Sequence, residues 1–213
     1  MANLIIYGAP PSNFVRTVRI ACHEKGVAYD LREADLESPD YKELNPFARM
    51  PAMRHGDVTL FEALAIATYV DKAFDGPPLI PVEPIAAART MQWISAFLDM
   101  VAIHLGRGVL YERLAKPYFG QPTDEEKIKA SMPKVERIMQ VLDDALGKSA
   151  YFGGEAATLA DAYYISQFHY VPMCPDTEAL VAAKNNIGRW MEVMNERDSV
   201  KATVPVFDSE KAA

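Results

Sequence analysis

Three short stretches hold the residue types that could bind and activate a small ligand. The first, Asn45-Pro46-Phe47-Ala48-Arg49-Met50-Pro51-Ala52, is a turn that delivers an X-Pro bond to the start of a short strand. The second, Leu60-Phe61-Glu62-Ala63-Leu64-Ala65-Ile66, opens a helix with a carboxylate in its first turn. A backbone edge beside a proline can pair with an extended peptide like an added strand. A carboxylate can accept a cationic amine, and helix N-terminal N–H groups attract anions. Together these features suit an extended peptide held by its backbone and its amine. The third is Ser12, just before a predicted helix, where the free N–H groups and the helix dipole favour an anion, so it is the place to look for a catalytic group.

The surrounding elements follow from pattern. Leu4 to Tyr7 is a short apolar run ended by Gly8-Ala9-Pro10-Pro11, which predicts a buried strand and a loop. Ser12 or Asn13 caps a helix through about Lys25, closed by Gly26. Val27 to Ala34 predicts a second strand, so the first unit is a parallel βαβ with a right-handed crossover. Pro51 to Arg54 and Val58 to Leu60, joined by His55-Gly56-Asp57, predict a hairpin, and Glu62 to Phe74 a helix. Asp75 to Pro84, with four prolines, reads as a linker.

Beyond the linker the pattern is helical throughout. Predicted helices run from Ile85 to about Ala115, from Thr123 to Leu146 behind a Thr123–Glu126 capping box, from Thr158-Leu159-Ala160-Asp161 onward, and over Glu178 to Lys184 and Ile187 to Glu196. Pro133 is expected to kink the second of these, and the tail after Lys201 is expected to be a surface extension. The domain reading is therefore 1–75, a linker over 76–84, and an all-helical 85–213.

Composition narrows the function classes. A net charge of −7 argues against nucleic acid as a main partner. The two cysteines, Cys22 and Cys174, are too few and too far apart for a disulfide framework or a structural zinc site, so no metal is expected. Cys22 reads as a core residue. The N-terminus lacks a basic leader pattern, and no apolar run approaches the ~18 residues of a membrane span. A cytoplasmic protein without membrane partners is expected.

A βαβ–ββα domain, a proline-rich linker and a helical domain resemble the cytosolic glutathione transferases. Tyr7-Gly8-Ala9-Pro10-Pro11-Ser12, with Arg16, Val18 and His23-Glu24-Lys25, resembles the first strand and helix of the phi-like serine class and its bacterial relatives. Asn45-Pro46-Phe47 through Met50-Pro51 is similar to the family's turn and cis-proline. Leu60-Phe61-Glu62-Ala63, with Ala65-Ile66 and Tyr69, resembles its γ-glutamyl segment, and Gly154 through Asp161 its buried capping box.

The resemblance implies a fold, α/β plus all-α: a thioredoxin-like N-terminal domain followed by an all-helical C-terminal domain. It also implies glutathione as co-substrate, an apolar electrophile as second substrate, a homodimer, and a detoxification role. Ser12 would donate to the glutathione sulfur, with Tyr7 as the rival hydroxyl. Met50 would bind the cysteinyl backbone beside a cis Pro51. Glu62 and Ala63 would hold the γ-glutamyl end, where the family carries serine in place of Ala63. Arg49, commonly glutamine in the phi class, would pair with a carboxylate, and Lys42, beside Tyr41, lies near the glycyl end. Arg16 would either orient Ser12 or pair with acidic neighbours. Pro11, Phe14, Ile103, Arg107, Leu110 and Tyr111 would line the second-substrate pocket. The resemblance leaves open a glutathione-dependent isomerase or peroxidase, and a non-catalytic ligand-binding or interaction protein of the same fold.

Overall fold

A computed structural model describes residues 3–205 and divides them into two compact units, one of residues 3–80 and 197–205, the other of residues 81–196.

The first unit is built on a four-stranded sheet in the order β2-β1-β3-β4. Strand β1 (Leu4–Tyr7) alternates buried and half-buried positions, as a short strand between two packed layers does. Helix α1 (Asn13–Glu24) returns the chain to β2 (Tyr29–Arg32), which pairs with β1 in parallel. Gly26, at φ 65°, turns the chain out of α1, a conformation that costs glycine nothing. Strands β3 (Ala52–His55) and β4 (Val58–Phe61) form the expected hairpin, with β3 antiparallel to β1. Helix α3 (Ala63–Ala73) follows. Ile6, Val18, Met53, Ile66 and Val70 are fully buried between these layers.

One helix, α2 (Pro39–Leu44), was not expected. Ser38 caps it by accepting the Tyr41 N–H, and Pro39 occupies its first turn, where a missing N–H is harmless. A second difference concerns the end of the chain. Residues 197–205 belong to the first unit, and helix α9 (Asp198–Lys201) packs on α1. Arg197 makes a bidentate pair with Glu24, Ser199 also donates to Glu24, and the buried Arg16 donates from Nη2 to the Val200 carbonyl at 3.2 Å. Val200 and Thr203 are buried. The expected surface extension is thus partly a structural strap, and the rest of the expected tail, from residue 206, lies outside the described residues.

The second unit is helical. Helix α4 (Pro84–Tyr118) runs through the expected Ile85–Ala115 stretch, and from Phe97 to Ala115 it winds with wide, π-type turns. By length and mean hydropathy it is the one described helix that could cross a membrane, although Asp99 and Arg107 interrupt its apolar run. It packs instead along α5 (Glu125–Leu146), with Phe97, Val101, Leu105 and Val109 buried. Close approach of the two helices requires Gly108, where a Cβ would lie 2.3 Å from Ser131 Oγ.

The N-cap of α5 is Asp124, which accepts the Lys127 N–H, so the expected Thr123 box is displaced by one residue. Thr123 instead donates to the Glu112 carbonyl. Helix α6 (Leu159–Phe168) does begin at the expected Thr158–Asp161 box. Buried Asp161 accepts the Thr158 and Phe152 N–H groups, the Thr158 hydroxyl and the Trp190 indole, four donors that offset the cost of burying a carboxylate. Helices α7 (Pro175–Ala182) and α8 (Asn185–Asn195) complete the unit.

Candidate functional site

The sheet register collects the chemistry-bearing segments at one end of the first unit. Tyr7, the last residue of β1, pairs with Ala52, the first of β3, and Ala52 pairs with Phe61, the last of β4. The segments just beyond these residues, Gly8 to Ser12, Met50-Pro51 and Glu62-Ala63, therefore emerge side by side. With strands about 4.8 Å apart, all three lie within reach of one extended tripeptide.

Ser12 is the N-cap of α1. Its hydroxyl oxygen accepts the Val15 N–H at 3.4 Å, its N–H donates to the Ala9 carbonyl at 3.0 Å, and its carbonyl begins the helix by accepting the Arg16 N–H. The approach of α1 to the sheet depends on Gly8, where a Cβ would stand 2.4 Å from the Val15 Cγ2. Tyr7 points into a different setting. It packs, with Ala34 and Leu36, against the cluster of Tyr41, Leu44 and Ala52.

The Asn45–Pro51 turn is fixed from within. Asn45 Oδ1 accepts the Phe47 N–H at 3.0 Å, and the Asn45 carbonyl accepts the Ala48 N–H, which bends the chain with Ala48 at φ 49°. The Arg49 carbonyl is held twice, by Tyr41 Oη at 2.8 Å and Asn45 Nδ2 at 2.6 Å. Burial pushes the Tyr41 hydroxyl up to about 12, so it stays a donor. The Met50–Pro51 bond is cis, as the sequence led us to expect. Among the described residues neither the N–H nor the carbonyl of Met50 has a hydrogen-bond partner.

Glu62 lies not in the first turn of α3 but at its N-cap. It adopts φ 69°, a region costly for a residue with a Cβ, and its side chain makes no capping bond. The first-turn N–H groups of α3, beginning with that of the buried Ala63, are thus left without a cap. An exposed carboxylate beside free N–H groups offers complementary sites for an amine and a carboxylate on one ligand atom.

The remaining expected residues divide. Arg49 is exposed in the turn, and Lys42 is exposed on α2 in a pair with Glu37 at 3.1 Å. Pro11 and Phe14 are half-buried in the first unit. Ile103, Arg107 and Tyr111 form an exposed stripe, one turn apart, along α4 in the second unit, whereas Leu110 is buried. The thiols offer no alternative centre, because burial pushes Cys22 up to about 12 and also raises Cys174. Tyr41 and Asn45, which anchor the turn, were not singled out for that role from the sequence. Their signal was there, in an asparagine opening a turn that ends in X-Pro.

Two family matches decide the relationship. Residues 6–78 match the N-terminal domain of glutathione S-transferases, and residues 107–198 match the C-terminal domain. The chain belongs to the glutathione S-transferase family. Glutathione S-transferase 3 of Zea mays is 28% identical over 96% of this chain and 94% of its own length. A maize glutathione S-transferase I structure in complex with an atrazine glutathione conjugate superimposes with a TM-score of 0.85 at 26% identity, covering 95% of this chain and 97% of that one. A stringent starvation protein A homolog of Coxiella burnetii is 29% identical over 97% of this chain and 94% of its own length. The thioredoxin-like and helical halves expected from the sequence are those of this glutathione S-transferase fold.

Proposed function

We propose that this protein is a phi-like, serine-type glutathione transferase that joins the glutathione thiolate to apolar electrophiles. The observation that carries this reading is the Ser12 N-cap, whose hydroxyl stands at a helix N-terminus with its proton uncommitted, beside the open Met50 backbone and the uncapped start of α3. Glutathione lies along Met50 as an added strand, with the γ-glutamyl amine at Glu62 and its carboxylate at the first N–H groups of α3. Its thiol then reaches Ser12. The thiol loses its proton to solvent, the Ser12 O–H donates to the sulfur, and the partial positive charge of α1 stabilises the anion. The thiolate attacks the electrophilic carbon, the S–C bond forms, and the leaving group departs with its electron pair.

Arg49 and Lys42 are the cations available for the glycyl carboxylate. Pro11 and Phe14 in the first unit are candidates for contact with the electrophile, and in the second unit the candidates are Ile103, Arg107 and Tyr111, which are exposed, rather than the buried Leu110. Tyr7, committed to packing, is the weaker candidate for thiolate stabilisation.

The test is a calorimetric titration with glutathione, followed by turnover of a model aryl halide. Binding at millimolar glutathione or below with measurable conjugation supports the proposal. Absence of binding overturns it and favours an interaction protein of the same fold, whereas binding without conjugation favours a non-catalytic ligand-binding protein, a reading that Ala63, which lacks the family's hydroxyl, supports.

The assembly we propose is a cytoplasmic homodimer. Phe47 supports it: the ring is 68% exposed, and among the described residues its one aromatic neighbour is Phe61, edge-on at 6.0 Å between centroids. A large exposed aromatic beside a rigid turn is the kind of anchor that interfaces bury. Phe47→Ser should shift the sedimentation profile toward monomer, and an unchanged dimer would remove Phe47 from the interface.

A further inference from the structure

The antiparallel register that pairs Tyr7 with Ala52 sets Ala9 opposite Met50, two residues beyond. There the Ala9 N–H donates to the thioether sulfur of Met50, at 3.4 Å between N and Sδ. The carbonyl of Ala9 accepts the Ser12 N–H at 3.0 Å. Two hydrogen bonds therefore run in series, from the Met50 sulfur through Ala9 to the Ser12 backbone. The Met50 side chain also lies against Gly8, close enough that a Cβ there would meet the Met50 Cβ at 3.4 Å. The segment it braces, Gly8 to Ser12, is an irregular loop tied to β2 only at its start, among the described residues, where the Gly8 N–H donates to the Arg32 carbonyl at 2.9 Å. A thioether is a weak but real acceptor, and here it is the only one the Ala9 N–H meets among the described residues.

We propose that the Met50 side chain is a positioning residue for Ser12. By accepting the Ala9 N–H it fixes the turn from which Ser12 enters α1, and so sets where the Ser12 proton meets the glutathione sulfur. This assigns Met50 a task for its side chain, apart from the backbone contact already described, and it rests on the reading of Ser12 as the thiolate-stabilising group.

Three variants of the full chain test it: Met50→Leu, which keeps apolar bulk and removes the acceptor; Met50→Gln, of similar length, which restores one; and Ser12→Ala as the reference. Each is read by the pH profile of kcat/KM for glutathione with an aryl halide, and by calorimetric glutathione affinity. The loss of one modest hydrogen bond predicts a fall of about three- to tenfold in kcat/KM near neutral pH for Met50→Leu, with a change in affinity of about twofold or less. Its rising limb should move to higher pH, in the same direction as that of Ser12→Ala. Met50→Gln should recover much of the loss, and Met50→Leu should add little in the Ser12→Ala background, because the two residues act as one unit.

A wild-type profile in Met50→Leu, alongside a shifted one in Ser12→Ala, overturns the proposal while leaving Ser12 in place. An equal loss in Met50→Gln and Met50→Leu overturns it too, since shape rather than the acceptor would then matter. If Ser12→Ala itself leaves the profile unmoved, the reading of Ser12 fails and the proposal fails with it. Should Met50→Leu not fold, Met50→Ile against Met50→Gln makes the same comparison with the same outcomes.

Discussion

The Ser12 hydroxyl oxygen accepts the Val15 N–H at 3.4 Å and, among the described residues, donates to nothing. Capping therefore uses the oxygen and leaves the proton for a ligand. Ser12→Ala should lower kcat with a model aryl halide by about ten- to a hundredfold, the worth of one hydrogen bond to a charged sulfur. Loss of the cap should also cost about 1 kcal/mol of stability. Glutathione affinity should change far less than kcat. Tyr7→Phe should leave turnover nearly intact, and the reverse pattern would transfer the role to Tyr7.

At the other end of the proposed ligand, Ala63 places a buried methyl where the family carries a hydroxyl. Ala63→Ser supplies a donor at the start of α3, aimed at the same carboxylate as the backbone N–H groups. Glutathione should bind about ten- to a hundredfold more tightly, from one added charge-assisted hydrogen bond. Unchanged affinity in a calorimetric titration would place the γ-glutamyl end elsewhere.

The turn that carries Met50 depends on Asn45, which is buried and uses both ends of its amide. Asn45→Ala removes one of the two donors to the Arg49 carbonyl and the acceptor of the Phe47 N–H. We expect a loss of about 1–3 kcal/mol in denaturant unfolding, the cost of stranded backbone groups. The KM for glutathione should rise with it, because Met50 loses its support. Tyr41→Phe, which removes only the other donor, should show the smaller effect. Equal and negligible effects in both would mean that the turn is held by other contacts.

Much of this site was legible in the sequence, for reasons that differ by residue. Ser12, Gly26 and the Thr158–Asp161 box announce themselves through local chemistry, because a cap or a left-handed turn accepts few residue types. Helix α2 was missed although Ser38-Pro39-Asp40 is a plain start signal; at six residues it has no apolar period to read. Glu62 was placed one position too far into its helix, since its positive φ has no sequence signature in a glutamate. The contact between Ala9 and Met50 follows from the pairing of Tyr7 with Ala52, and a register between distant strands is set by tertiary packing rather than by either strand alone. The strap of residues 197–205 is hidden for the same reason, its pairing with Glu24 and Arg16 being long-range.

Acid should loosen the second unit through Glu112. This side chain is fully buried on α4 and bridges Lys116 and Lys127, each at 2.6 Å, while accepting the Asp124 N–H at the N-cap of α5. Burial by itself pushes the carboxyl up, but the two ammonium groups and the N–H outweigh it and hold the group at about 2, below its ordinary 4.5. A folded-state pKa below the unfolded one means that the stabilisation is complete above about pH 4.5 and is lost as the pH falls toward about 2. Breaking a buried pair costs about 3–5 kcal/mol, and the partial exposure of both lysines reduces this to about 2–3 kcal/mol for Glu112→Gln. Urea unfolding of the two proteins should therefore differ by that amount at neutral pH. The gap should narrow steadily below pH 4.5, because the carboxyl of the unfolded wild-type chain takes up a proton there while the folded one stays ionised down to about pH 2. A gap of the same size at pH 3 and pH 7 would show that Glu112 acts through shape rather than charge.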